Sequence, residues 1–165
     1  MNAKHAVFLV FLALGGPVLL FLFLKVFGRN EFQVSPLYQQ APLVAPDSCN
    51  YRYNVPYHVA DSVMSRLKPN TSDSLFVVYF NREEATAINR IRTEFLHDPV
   101  AIVGPDAVDK SFDADWLRRC VLLMKGDTSV ALVDGKYRIR GNYYGADRDD
   151  VDRLSVELKI ILRKY

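Results

Sequence analysis

Cys49 and Cys120 are the only cysteines of the chain, so any thiol chemistry rests on them. A thiolate can attack, exchange disulfides or hold a soft metal ion. The two are isolated and far apart in the sequence, unlike a Cys-x-x-Cys redox or metal motif. In an oxidising compartment they could pair. The apolar run Cys120-Val121-Leu122-Leu123-Met124 favours another reading for Cys120, a small buried hydrophobe. His5, His58 and His97 are the only imidazoles. His58 lies on a strand-like stretch and His97 in the turn His97-Asp98-Pro99, so both read as ordinary polar positions rather than ligands.

The other charged clusters also have structural explanations. Asp147, Asp149, Asp150 and Asp152 do not match an EF-hand and lack its bidentate Glu. Carboxylates at a helix start are stabilised by its dipole, by about 0.3–1 kcal/mol each. Arg118-Arg119 and Arg138-x-Arg140 are small basic groups that could meet an acidic partner or lipid headgroups, with a solvated face as the default reading. Alternation sets Arg138 and Arg140 on one face of a strand, opposite Ile139. Asn70-Thr71-Ser72 matches a glycosylation triplet, a pattern too common to weigh alone. The sequence has no Gly-rich phosphate loop, no nucleophile elbow and no Ser-His-Asp arrangement.

The elements that would position these residues fall into three stretches. Residues 1–28 read as a transmembrane anchor. Ala6 to Leu24 holds no Asp, Glu, Lys or Arg, and with Val26 and Phe27 the run suffices for a hydrocarbon core of about 30 Å. A cleaved signal peptide competes, but its apolar core is shorter, at about 7–15 residues, and Lys25-Val26-Phe27-Gly28-Arg29 is a poor cleavage site. Cations flank both ends of the run, so charge does not set its orientation. Residues 29–56 read as an extended stalk, with Pro36, Pro42, Pro46 and Pro56 disfavouring helix. Phe32 and Tyr38 are expected at the membrane interface, and Tyr51, Tyr53 and Tyr57 against the globular domain.

Residues 57–165 read as one α/β domain. Tyr57 to Asp61 is expected to be an entry strand and Leu75 to Phe80 a central strand buried on both faces. Asn81 and Glu84 resemble a capping box for a helix whose Ala85, Ile88, Ile91 and Phe95 share one face. Further strands are expected over Pro99 to Val103 and Cys120 to Met124, with a short helix over Asp113 to Arg119 between them. Ser129 to Asp134 and Lys136 to Gly141 form a hairpin about a tight primed Asp134-Gly135 turn. A last helix starts at Asp147, with Val151, Leu154, Leu158 and Ile161 in one stripe. This order predicts a mixed sheet with helices on its faces. Beyond the anchor, cations and anions balance, which disfavours a nucleic-acid partner.

Several stretches resemble the Sco/SenC proteins, membrane-anchored thioredoxin-fold copper and thiol factors of cytochrome oxidase assembly. Asn30-Glu31-Phe32 with Ser35-Pro36-Leu37-Tyr38 is similar to their post-anchor segment. Leu132-Val133-Asp134, Arg138-Ile139-Arg140-Gly141 and Tyr143-Tyr144-Gly145 are similar to their terminal hairpin, and Asp152-Arg153-Leu154 with Leu158-Lys159 to their final helix. The resemblance implies a thioredoxin-like sheet, a single-pass protein of the inner (cytoplasmic) membrane, and a domain on the periplasmic side. It also implies association with a respiratory complex or with cytochrome oxidase assembly. The family holds copper with two thiolates and one histidine. Here the Cys-x-x-x-Cys position reads Asn81-Arg82-Glu83-Glu84-Ala85, and the histidine position matches Asp127. No catalytic, cofactor-binding or metal-binding residue therefore carries over. The expectation is a non-catalytic accessory protein whose partners are membrane lipid and a respiratory membrane complex. The alternative is an active copper chaperone or thiol-disulfide oxidoreductase using Cys49 and Cys120.

Overall fold

The computed structural model describes residues 15–23, 25, 33–40, 49–67 and 74–163. Residues 15–23 are helical and bear exposed apolar side chains from Val18 to Phe23. Among the described residues no helix is long and apolar enough to cross a membrane. Most of the expected anchor, 1–28, lies outside them. Residues 1–33 form one unit and 34–165 another.

The larger unit is an α/β fold built on β1, Leu75–Tyr79, whose five residues are all buried. β2 (Val100–Val103) runs parallel to β1; β3 (Val130–Asp134) runs antiparallel to it, and β4 (Ile139–Tyr143) antiparallel to β3. The four strands lie in the order β2-β1-β3-β4. Side chains alternate across a strand, so β1 serves two cores. Leu75, Val77 and Tyr79 pack with Ile88, Ile91, Val151, Leu154 and Leu158. Phe76 and Val78 pack on the other face with Val63, Met64, Val108, Leu117 and Val121. The first face is covered by α2 (Ala85–Glu94) and α5 (Arg148–Ile161). The second is covered by α1 (Asp61–Leu67), α3 (Pro105–Ser111), and the single turn α4 (Ala114–Trp116) with the π-helical turn that follows, Leu117–Val121.

Three local expectations are corrected. Tyr57 to Asp61 is not a strand. Val59 N donates once to Tyr137 O, at 2.8 Å, and the Ala60 carbonyl then accepts from Val63 N and Met64 N to open α1. Cys120 to Met124 is not a strand either: Leu117–Val121 is a π turn, and Leu123 leaves it in a left-handed conformation with φ 51°. A short apolar run has no period to separate strand from buried turn. The hairpin does not close on a two-residue Asp134-Gly135 turn. Its loop runs to Arg138, with Tyr137 at φ 60° and a bulge between Leu132 and Val133.

Leu37, Tyr38 and Tyr53 of the expected stalk hydrogen-bond within the larger unit. Leu37 N donates to Ile139 O at 2.8 Å and Tyr57 N to Tyr38 O at 3.0 Å. Tyr38 packs on the core of the larger unit, contrary to its expected membrane-interface place, because its ring meets Tyr57 edge-on and its hydroxyl finds a carbonyl partner.

Candidate functional site

The loop after β1, where the resemblance locates a thiol pair, holds a sealed polar cluster instead. Phe80 N donates to Ser129 O at 3.1 Å and so brings the end of β1 beside the start of β3. Asn81 then leaves the sheet in an extended conformation and Arg82–Glu84 form one 3-10 turn before α2. That turn carries Glu84 inward, where it is 4% exposed. Glu84 Oε1 accepts from Ser129 Oγ at 2.6 Å and from Asn81 Nδ2 at 2.9 Å. Ser129 Oγ in turn accepts from Gly145 N at 3.1 Å. Glu84 Oε2 is buried with no hydrogen-bond partner among the described residues.

The expected capping box takes another form here. Asn81 is at the helix N-cap, but its side chain bonds the Glu84 carboxylate and not a backbone amide. Gly145 closes the cluster. A Cβ at this glycine would lie 2.6 Å from Glu84 Cδ and 2.8 Å from Val130 Cγ2, too close for ordinary contact. Outside, Arg82 Nη2 pairs with Asp106 at 2.8 Å and Asp109 at 3.1 Å, tying the loop to α3 across the surface.

The position matching the family histidine is Asp127, exposed in a turn that Arg118 braces. Arg118 Nε donates to Thr128 O at 3.0 Å and Nη2 to Gly126 O at 2.7 Å, so this arginine is a brace and not only a solvated charge. The donors at this end of the sheet are carboxylate, hydroxyl and amide groups. Copper(I) prefers thiolate, thioether and imidazole, so the residues present do not fit the family's copper. Among the described residues no group of three or more His, Cys, Asp or Glu could hold a metal ion. His58 is exposed with Nδ1 3.1 Å from Pro56 O, and His97 is exposed in a turn.

The two cysteines meet elsewhere. Cys49 and Cys120 form a disulfide, with Cα atoms 5.4 Å apart, which corrects the favoured reading of Cys120 as a plain buried hydrophobe. Cys120 is indeed buried, at 7% exposure, but its sulfur is committed. The bond ties the stretch before the domain to the π turn, and three phenols strengthen the tie. Tyr53 donates to Cys120 O at 2.7 Å, Tyr57 to Val121 O at 2.5 Å and Tyr38 to Leu123 O at 2.9 Å. Carbonyls at a helix end lack intrahelical donors, and these hydroxyls supply them. Burial pushes the Tyr38 and Tyr53 phenols up, and Tyr57 furthest, with its tyrosine neighbours adding to the effect.

The acidic run is structural. Asp147 caps α5 by accepting from Asp149 N at 3.1 Å, Asp150 accepts from Tyr144 N at 2.8 Å, and Asp152 pairs with Arg90. Arg138 and Arg140 behave differently. Both reach Asp134 Oδ2 at 2.8 Å, while Asp134 Oδ1 accepts from the amides of Lys136 and Arg138 at 2.9 and 3.0 Å. Burial alone would raise the Asp134 carboxyl. The Arg138 amide and the two guanidiniums outweigh burial and hold it below the usual range.

Sequence reasoning missed the buried roles of Glu84, Ser129 and Asp134. Glu84 was visible only as a capping residue. The one signal for Asp134 was its position ahead of Arg138 and Arg140 on a shared face. No family model matches the chain, and comparisons with curated proteins and with solved structures found no match.

Proposed function

We propose that this protein is a redox-inactive, thioredoxin-like scaffold of Sco/SenC type. It is anchored by its first segment and acts as an accessory or interaction protein at a respiratory membrane, in a stable complex or in cytochrome oxidase assembly. Two features support the scaffold. A strand–helix–strand unit is followed by a hairpin and a terminal helix, and the strands lie in the order β2-β1-β3-β4, as in thioredoxin-like sheets. The observation that carries the inactive reading is the Glu84–Ser129 contact, which fills the thiol-loop position with oxygen donors. Fold alone does not give function, so the chemistry of that loop is what matters.

The test is a Cu(I) titration of the full chain with Cys49 and Cys120 changed to serine, beside the unchanged chain. The expected result is no stoichiometric Cu(I) at the Asn81–Ala85 loop and no disulfide exchange from it. Tight one-to-one Cu(I) binding lost on changing Asp127 would overturn the reading. Co-purification from gently solubilised membranes tests the partner: a respiratory complex is expected to accompany the chain. Isolation of the chain alone would argue against the accessory role.

One observation favours the second reading, an active copper chaperone or thiol oxidoreductase, since the two sulfurs it needs are joined. Copper-dependent activity lost in the double cysteine variant would support it. The burial of Cys120 argues against it, because a reactive thiol must be reached by its substrate.

A further inference from the structure

At the far end of the β3–β4 hairpin lies an open cleft of about 270 Å³. Its lining includes the charged residues Asp134, Lys136, Arg138 and Arg140 and the apolar residues Leu75, Ile161 and Leu162. Asp134 is 5% exposed, and all its visible bonding is with the hairpin itself. It aligns both guanidiniums, but a single carboxylate cannot neutralise two guanidiniums and an ammonium. Arg140 also donates through Nη1 to Val34 O, which fixes it further. Among the described residues Lys136 has no ionic partner, and its side chain is exposed. Among the described lining residues the charges therefore sum to two positive, on two braced side chains and one exposed one, beside Ile161 and Leu162.

We propose that this cleft binds a phosphate monoester, with the phosphate on Lys136, Arg138 and Arg140 and the organic part along Ile161 and Leu162. A phosphate monoester carries about −1.5 to −2 charges at pH 7, which balances that excess. Guanidinium N–H groups not bonded to Asp134 or Val34 can donate to its oxygens, and the Lys136 ammonium adds a point charge. Desolvating Arg138 and Arg140 further costs little, since their side chains are already only 24% and 16% exposed. The ester can be a small soluble molecule or the headgroup of a phosphatidic-acid-type lipid. The inference does not rest on the scaffold reading above, and either can fail alone.

The test uses the full chain in zwitterionic detergent, titrated calorimetrically with inorganic phosphate and with glycerol 3-phosphate. Saturable one-to-one binding is expected, weakened about tenfold or more in Lys136→Glu, a change of at least about 1.4 kcal/mol. Lys136 is exposed, so this variant keeps the fold, which circular dichroism checks. Lys110→Glu, an equal charge change on α3, is expected to bind like the unchanged chain. No saturable phosphate binding, or equal binding by Lys136→Glu, would overturn the proposal. Equal weakening by Lys110→Glu would also overturn it, since the effect would then be one of net charge. Dioctanoyl phosphatidic acid and dioctanoyl phosphatidylcholine in the same micelles distinguish the sources. Tighter binding of the phosphatidic acid than of glycerol 3-phosphate assigns a lipid headgroup, and equal binding a soluble ester.

Discussion

Glu84 is buried with one oxygen bonded and one not, so its neighbourhood should be intolerant of small changes. Ser129→Ala removes the 2.6 Å bond and leaves a buried carboxylate oxygen served only by Asn81. A loss of about 1–3 kcal/mol is expected, read from denaturant midpoints. Gly145→Ala inserts a methyl group against Glu84 and Val130 and should cost a similar 1–3 kcal/mol, roughly, through overpacking. Unchanged stability in both variants would mean that the cluster is not tightly packed. Asp134 makes a different prediction, about pH. Its carboxyl is depressed in the folded state, so its stabilisation is present above the unfolded value of about 3.9. It is lost as pH falls from there through the folded value. Asp134→Asn leaves two half-buried guanidiniums without their counter-charge and should cost about 3 kcal/mol at neutral pH. The variant should also lose part of the acid dependence, which denaturation series at pH 7 and pH 3 will show.

Among the elements, α5 covers one face of the sheet with Val151, Leu154 and Leu158, all buried. Leu154→Ala and Leu158→Ala should each cost about 2–5 kcal/mol, measured by chemical unfolding. A neutral effect at both would contradict the observed orientation. This helix was legible because its stripe repeats at helical spacing over several turns and Asp147 marks its start. β1 was legible because a run of β-branched and aromatic residues fits a strand buried on both faces. β3 and β4 were legible as a hairpin, but not their loop, since Tyr137 takes a left-handed conformation that no local residue preference announces. The turn at Leu117–Val121 was misread for a related reason: it bonds to distant tyrosines and to Cys49, contacts that its own five residues do not announce. The loop at Asn81–Ala85 was legible as lacking sulfur. That its Glu84 turns inward to Ser129 was not, because the contact spans two strands and a helix start.

At the scale of the whole molecule, the Cys49–Cys120 bond closes a loop of 71 positions. In the chain-entropy account a loop of this length restricts the unfolded state by about 4 kcal/mol, and native disulfides commonly contribute about 2–5. Replacing both cysteines with serine should lower stability by that order, measured as a fall in the denaturant midpoint. Stability unchanged by the double substitution would show that the tyrosine contacts hold the segment unaided. Those tyrosines have a further use. Tyr38, Tyr53, Tyr57 and Tyr143 are all pushed up by burial, and Glu157 adds to the effect on Tyr143. Their contribution to stability is present in full below the unfolded value of about 10 and is lost as pH rises from there towards the raised folded values. Phenolate absorbs near-ultraviolet light that phenol does not. A rapid alkaline jump should therefore be followed, after a lag, by an absorbance rise as the domain opens and the buried rings ionise. That lag is an optical clock for unfolding, built from side chains already in place and needing no label.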